Sequence, residues 1–405
     1  MKKLNVIYRG WGERFELGVL ADDGKDLLFE YSPAALKRGL ELSPHKLPLG
    51  GKTYGGFPEH QLRLPGMIND ALPDGWGMLL MDRLFRKQGR DDISPLDRLA
   101  FIGDKAMGAL TFEPGDKETL ALEEVQLLDL ANEVLQVIDG ESEKSLRKLL
   151  LMGGSPHGAR PKVLVNYDRK RNRMSNSEQG AGISMLVKFP SQHEHKEVCA
   201  IEAMYGRIAT AAGLRVPVME YFDLDKKSSA FAIERFDRFE GMRIPMHTAA
   251  GAAHVDFRIP QLDYNALLRL TRKMTGDERE VLQAFERCTF NVMFNNRDDH
   301  SKNFSFLMGK DDRWRFSPAY DLSFSEGPNG EHQMDICGEA RVPARKHLLE
   351  LAQDTGISLK TAEQIIERLA TVADKFDDFA KGLPIRSKTL KLIAAVVNSN
   401  RAGLL

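Results

Sequence analysis

Only three cysteines occur in 405 residues, Cys199, Cys288 and Cys337, and no two of them form a CxxC pair. That scarcity excludes a disulfide framework and a cysteine-based zinc site, and it fits a reducing compartment. A long hydrophobic run is also missing. After Met1-Lys2-Lys3 the apolar stretch from Leu4 to Tyr8 is too short for a secretory signal core. No other segment approaches a membrane-spanning length. The expectation is therefore a cytoplasmic protein with no membrane partner. Nor is positive charge in excess, since 57 Lys and Arg stand against 58 Asp and Glu, a formal net charge of −1. A chain without a global positive field does not hold nucleic acid by itself. Internal repeats and low-complexity tracts are absent too.

What is present is ordinary globular composition, 42% hydrophobic and 28% charged, on a chain long enough for two or three domains. Leu4 to Tyr8, Phe15 to Leu20 and Leu27 to Tyr31 read as strands, with Asp22-Asp23-Gly24 supplying turn chemistry between the last two. After Leu72-Pro73-Asp74-Gly75, apolar Met78, Leu79, Met81, Leu84 and Phe85 recur at helical spacing until Gly89. Gly108 to Phe112 reads as a strand again, and Pro114-Gly115-Asp116-Lys117 marks the end of a first α+β unit. Residues 120 to 151 read as helical. Strands are expected at Lys162–Asn166, Ile183–Phe189, Val218–Asp223 and Ser229–Glu234, with an amphipathic helix from Glu197 to Ala212. From Tyr264 onward the pattern is mostly helical. The basic stretch Arg169, Lys170, Arg171 and Arg173 lacks interleaved aromatics for base stacking and reads as a solvated hairpin loop.

The densest chemical signal is Asn295-Asn296-Arg297-Asp298-Asp299-His300-Ser301-Lys302-Asn303-Phe304, followed eighteen residues after Asn303 by Asp321. Phosphoryl transfer asks little covalent chemistry of a protein. It needs a carboxylate to take the proton of the attacking hydroxyl, and oxygen ligands for the Mg²⁺ on the phosphates. Kinases place the first carboxylate and an asparagine on one loop as Asp-x-x-x-x-Asn, with the second metal carboxylate on a following strand. Asp298 and Asn303 have that spacing, which favours Asp298 over Asp299 as the base, and Asp321 takes the later position within Tyr-Asp-Leu. Lys188, inside the apolar strand Met185-Leu186-Val187-Lys188-Phe189, is the candidate cation for ATP. Its helix partner is read as Glu202, with Glu197 and Glu194 as rivals. Gly153-Gly154-Ser155-Pro156-His157-Gly158 is a loop whose backbone amides could approach phosphates. A flexible linker explains that loop equally well.

Five ordered landmarks together resemble the HipA family, the kinase toxins of bacterial toxin–antitoxin modules. They are Ser155-x-x-Gly158-x-x-Pro161-Lys162, Leu186-Val187-Lys188-Phe189-Pro190, Glu234-Arg235-Phe236-Asp237-Arg238, Asp298-Asp299-His300-x-Lys302-Asn303-Phe304 and Pro318-Ala319-Tyr320-Asp321. Leu72-Pro73-Asp74 and Ile102-Gly103-Asp104-x-x-x-Gly108-Ala109 resemble that family's N-terminal subdomain, so the likeness runs along the whole chain. It implies that Lys188 contacts the ATP phosphates, with Ser155, Gly158 and Lys162 in the loop and first strand beside them. Glu234 and Phe236 would present backbone to adenine. Asp298 would be the base, and Asn303 and Asp321 the Mg²⁺ ligands. His300 and Lys302 would lie by the phosphates, Lys302 stabilising transferred charge. Ser155 falls where the family carries a serine whose autophosphorylation switches the kinase off.

The expectation is an α+β, two-lobed protein-kinase-like fold: 1–115 a small N-terminal subdomain, 116–235 the small lobe with the Gly loop and ATP lysine, and 236–405 a mostly helical C-terminal lobe with the catalytic loop. The implied activity is a Ser/Thr protein kinase using ATP and Mg²⁺. Its implied partners are a protein substrate, an aminoacyl-tRNA synthetase in known family cases, and a small helix-turn-helix antitoxin, with DNA reached only through the antitoxin. A small-molecule kinase and a non-catalytic co-repressor module are the competing readings.

Overall fold

Strand-forming residues open the chain and helix-forming ones close it, and the computed structural model follows that gradient. It describes residues 2–116, 123–138, 140, 142–153, 156–176 and 182–405. The chain separates into two compact units. The first contains 1–196, 220–247 and 307–313, and the second contains 197–219, 248–306 and 314–405. Helix α7 (Glu197–Ala211), expected beside the small-lobe strands, belongs to the second.

In the first unit β1 (Lys3–Tyr8), β2 (Phe15–Asp22), β3 (Leu27–Tyr31), β4 (Thr53–Tyr54) and β5 (Leu110–Glu113) form a sheet of order β4-β3-β2-β1-β5. Apolar residues at alternate positions, such as Leu4 and Val6, are fully buried, which fixes the pairing register. Helices α1 (Pro33–Arg38), α2 (Gly66–Asn69), α3 (Gly75–Lys87) and α4 (Pro95–Ile102) fill the connections. Strands β6 (Glu124–Val125), β7 (Lys162–Asp168), β8 (Arg173–Ser175), β9 (Ile183–Lys188), β10 (Met219–Asp223) and β11 (Ser229–Glu234) make a second sheet, ordered β10-β11-β9-β7-β8-β6. β7 lies between β8 and β9, and its Val163, Leu164 and Val165 are all buried, as a strand covered on both faces requires.

Several expectations need correction. The stretch 120–151 is not one helical run: it holds β6 and then α5 (Leu127–Ile138) and α6 (Glu143–Gly153). β5 starts at Leu110 and not at Gly108, because Gly108 has a φ of 70° and gives its amide to Asp237. The basic stretch is a hairpin with exposed arginines, as read, yet β8 lies within it. Arg171 pairs with Asp168 and Arg173 with Glu124.

The second unit is built on α9 (Tyr264–Thr275) and α10 (Glu278–Met293), with α11 (Arg345–Asp354), α12 (Leu359–Ala373), α13 (Phe376–Phe379) and α14 (Ser387–Leu404) towards its end and α8 (Ala249–Ala253) before it. Asp263 caps α9 by accepting the Ala266 N–H at 2.6 Å, and Gly276 closes it at a φ of 62°. Asp277 then caps α10, so a two-residue connection reverses the chain. Val281, Phe285, Cys288 and Phe290 of α10 are fully buried against these neighbours. Helical structure is nonetheless interrupted between α10 and α11. The 295–344 stretch is largely irregular, apart from the short strands Ser305–Met308 and Trp314–Phe316.

Two buried polar clusters knit the first unit across long sequence distances. Asp237, wholly inaccessible to solvent, accepts from Arg235 at 3.0 Å, from Arg238 at 2.7 Å and from the Gly108 amide at 2.8 Å. Burial alone would raise its pKa, but the two guanidiniums outweigh that and hold it below the ordinary aspartate range. The other cluster is Ser43, His247 and Asp70. His247 Nε2 lies 3.0 Å from Ser43 Oγ and its Nδ1 lies 2.6 Å from Asp70 Oδ2. The distances match a hydrolytic triad, but Ser43 and His247 are no more than 1% exposed, so no substrate reaches them. Their role is structural.

Asp237→Ala should destabilise the protein by about 3–5 kcal/mol, because it leaves two guanidiniums buried without their counter-charge. The folded pKa of Asp237 is depressed, so its contribution is complete above the ordinary aspartate value and disappears as pH falls through the folded one. Thermal melts across acid pH check both points. A variant melting with the wild type would refute the assignment.

Candidate active site

Everything expected of the catalytic loop falls in the second unit, directly after α10. The helix stops at Phe294, and Asn295 turns the chain at a φ of 54°, a conformation asparagine tolerates better than most residues. Side-chain amides then brace the loop. Asn295 donates to the Ser325 carbonyl at 2.9 Å, Asn296 to Asn291 Oδ1 at 3.0 Å, and Asn291 to the Tyr264 hydroxyl at 2.9 Å.

The two adjacent aspartates have opposite environments. Asp299 is 1% exposed, and its carboxylate accepts from Tyr264 Oη at 2.6 Å, His332 Nδ1 at 2.8 Å and the Gln333 amide at 2.8 Å. Those three donors commit it to scaffolding. Asp298 presents a side chain 55% exposed, touched by Gln333 Nε2 at 3.2 Å, with His300 Nε2 at 3.9 Å. Its carboxylate is open to water on one side yet crowded by protein on the others. This partial burial raises its pKa. His300 works in the opposite sense, and the negative charges of Asp321 and Asp299 raise it further.

Asn303 closes a short 3₁₀ turn, Ser301–Asn303, and its Nδ2 donates to the Asp298 carbonyl at 2.7 Å. With the NH₂ turned that way, Oδ1 is the amide's remaining donor atom for a cation. Asp321 was expected on a strand. It sits instead in the irregular segment after Trp314–Phe316, at a φ of 55°. Arg287 braces that segment: its guanidinium donates to the Ser317 carbonyl at 2.7 Å and lies 4.6 Å from the centre of the Phe316 ring. Burial pushes the Arg287 pKa down to about 9. Sequence reasoning missed this residue. It belongs to no motif.

Lys302 is buried, and its Nζ lies 4.5 Å from the centre of the Phe257 ring. The same ring is 5.2 Å from that of His300. The Tyr320 hydroxyl donates to the Lys302 carbonyl at 2.7 Å, joining the Pro318–Asp321 segment to the 3₁₀ turn. Asp298, Asn303 and Asp321 offer oxygen atoms only, the donor type Mg²⁺ takes, and they form no all-protein cage. Among the described residues no group of three or more His, Cys, Asp and Glu is placed to hold a metal.

The remaining expected residues lie elsewhere in the chain. In the first unit Lys188 ends β9 and faces Lys162 of β7 directly across the ladder, and both are buried. Opposed residues share a face of the sheet. The Lys162 ammonium donates to the His157 carbonyl, and the Lys188 ammonium lies 5.9 Å from the centre of the Phe231 ring. Glu234 ends β11 and Phe236 follows it, both half-buried. Gly158 has a φ of 109°. Ser155 lies outside the described residues. Of the three acids on or before α7, Glu194 is held by Arg160 at 2.8 Å, and Glu197 accepts from Arg386 and from Thr389 at 2.9 Å. Glu202, 2% exposed on α7, is the third.

Comparison with known proteins identifies the family. The HipA-like C-terminal domain pattern matches residues 154–376, and the HipA N-terminal domain pattern matches 9–113. The chain is 26% identical to the putative kinase Y4dM of Sinorhizobium fredii, over 97% of this chain and 96% of that protein. It is 23% identical to the serine/threonine-protein kinase toxin HipA of Shewanella oneidensis, over 70% of this chain and 66% of that one. A solved structure of the Shewanella oneidensis HipA, HipB and operator DNA complex superposes with a TM-score of 0.71 at 19% identity, covering 98% of this chain and 96% of that chain. The α+β kinase-like fold is shared with it. With both domain patterns matched in order, and the C-terminal one across more than half its length, this chain belongs to the HipA family.

Proposed function

We propose that the chain is a Ser/Thr protein kinase of the HipA toxin type, transferring the γ-phosphoryl of ATP to a protein hydroxyl. One observation carries the reading: an exposed Asp298 carboxylate on a loop whose Asp298 carbonyl is held by Asn303 five residues on, beside an Asp299 already engaged in the scaffold. In this reading Asp298 takes the proton of the attacking hydroxyl. The hydroxyl oxygen forms a bond to the γ-phosphorus as the bond to the β–γ bridging oxygen breaks. Asn303 Oδ1 and Asp321 hold Mg²⁺, which when bound neutralises charge on the phosphates. Lys302 and His300 stand by to offset charge on the transferred group.

In the first unit Lys188, with Lys162 opposite, supplies cations for the phosphates, and the Glu234–Phe236 segment offers backbone to adenine. Glu202, buried on α7, is read as the helix acid that the kinase pattern calls for. The Shewanella relative in complex with HipB and operator DNA supports a small helix-turn-helix antitoxin as partner, with DNA reached through it. Growth arrest in the cytoplasm, by modification of a target such as an aminoacyl-tRNA synthetase, is the corresponding cellular role.

Asp298→Asn is expected to cut phosphoryl transfer by about 10²–10⁴-fold while MgATP still binds. Turnover within about twofold of wild type would remove Asp298 from the mechanism. Because its pKa is raised, the acid limb of kcat/KM should lie above the ordinary aspartate value. It should move higher still in His300→Ala, which loses the neighbour that opposes the rise.

Lys188→Met keeps the strand apolar, so activity should fall steeply with little change in melting temperature. A collapsed Tm with activity retained at low temperature would instead make Lys188 a packing residue.

Ser155 should gain phosphate when the protein is incubated with MgATP, and activity should decline as it does. Intact-mass spectrometry beside Ser155→Ala reads this out. Phosphate at that site without loss of activity would exclude a self-inactivating switch while leaving the kinase assignment standing.

A further inference from the structure

The Leu72-Pro73-Asp74 landmark has no part in the chemistry above, yet it touches the glycine loop. Asp74 occupies the N-cap position of α3, where an aspartate ordinarily accepts an N–H from its own helix. Here its side chain makes no capping bond. Its carboxylate accepts the amide of Gly158 instead. The Gly158 carbonyl in turn accepts the N–H of Trp76 at 3.1 Å, one of the first-turn donors that a helix cannot satisfy internally. The next side chain along, His157, donates from Nε2 to the Leu72 carbonyl at 3.1 Å. Five consecutive residues of the N-terminal subdomain, Leu72 to Trp76, thus hold two consecutive residues of the loop.

Close approach explains the glycines on both sides. A Cβ on Gly75 would stand 2.7 Å from the Gly158 carbonyl oxygen and 2.9 Å from Ala159 Cα, and neither backbone can yield. Gly158 needs its φ of 109°, which side-chain-bearing residues rarely adopt. The grip continues to the candidate phosphate lysines, because Lys162 Nζ donates to the carbonyl of His157. Lys162 is in turn the cross-strand partner of Lys188.

We propose that Asp74 is a positioning residue for nucleotide binding: it latches the Pro156–Arg160 loop to the N-terminal subdomain, and so makes ATP affinity depend on that subdomain. The proposal rests on the kinase reading above. A bond from an amide to a carboxylate is among the stronger hydrogen bonds. Releasing it frees the loop to leave the face where Lys162 and Lys188 stand.

The full-length protein is compared as wild type, Asp74→Ala and Asp74→Asn. Asp74→Ala should weaken MgATP affinity roughly tenfold, the size of one charge-assisted hydrogen bond, with kcat nearly unchanged at saturating ATP. Its melting temperature should stay close to wild type, since no capping bond is lost. Asp74→Asn keeps an acceptor oxygen and should recover most of the affinity, which a role in bulk stability would not predict. Hydrogen–deuterium exchange of a peptide covering 156–162, measured without nucleotide, tests the latch independently. Exchange should quicken in Asp74→Ala and return towards wild type in Asp74→Asn. Unchanged exchange in Asp74→Ala overturns the latch, and faster exchange with unaltered ATP affinity overturns its role in binding. A wild type that binds no MgATP at all would instead overturn the kinase reading, and the nucleotide half of this proposal with it.

Discussion

The helical unit's site depends on one carboxylate that does no chemistry. Asp299 is buried, and a buried ionised group is tolerable only with its acceptor positions filled. Tyr264 fills one from the start of α9, and His332 and Gln333 fill others from the irregular stretch beyond Asp321. Two separate segments are thereby tied to a single residue. The backbone direction this imposes at 299 leaves its neighbour Asp298 turned towards water. Tyr264 also takes the Asn291 amide, so the network reaches back into α10. An exposed carboxylate is thus flanked by a buried, fully engaged one a residue away.

Much of the local structure was legible because it rests on short-range rules. Alternating apolar residues gave the longer strands of both sheets to within a few positions, though not β4, β6 or β8, and helical spacing gave α3, α7 and the C-terminal helices. Family membership was legible too, because ordered landmarks survive where overall identity does not. The errors share a cause. β8 is hidden in a polar stretch because its outer partner, β6, lies about 50 residues earlier, and Gly108 was read into a strand because the demand on its amide comes from Asp237, 129 positions away. The Asp321 conformation was likewise invisible. It is set by braces such as Arg287 on the Ser317 carbonyl, not by the residues beside it.

Spacing favoured Asp298 over Asp299, and the structure engages Asp299 in three hydrogen bonds while the Asp298 side chain stays exposed. In the same way spacing left three acids for α7, and two of them proved to be occupied by Arg160 and Arg386. A linear sequence records which side chains could act; the fold decides which of them are already engaged. Arg287 shows the reverse case, a residue without any motif that supports the segment bearing a proposed metal ligand.

The buried set of Ser43, His247 and Asp70 carries a lesson for recognising enzymes by shape. Its distances would satisfy a geometric search for a serine hydrolase, and its members come from well-separated parts of the chain, as such triads do. What it lacks is solvent access, since Ser43 and His247 are no more than 1% exposed. Sealed away, the same arrangement that activates a hydroxyl becomes a rivet, its imidazole held from both sides. Template matching on three side chains therefore needs a fourth criterion, solvent access to the nucleophile, before it speaks of catalysis.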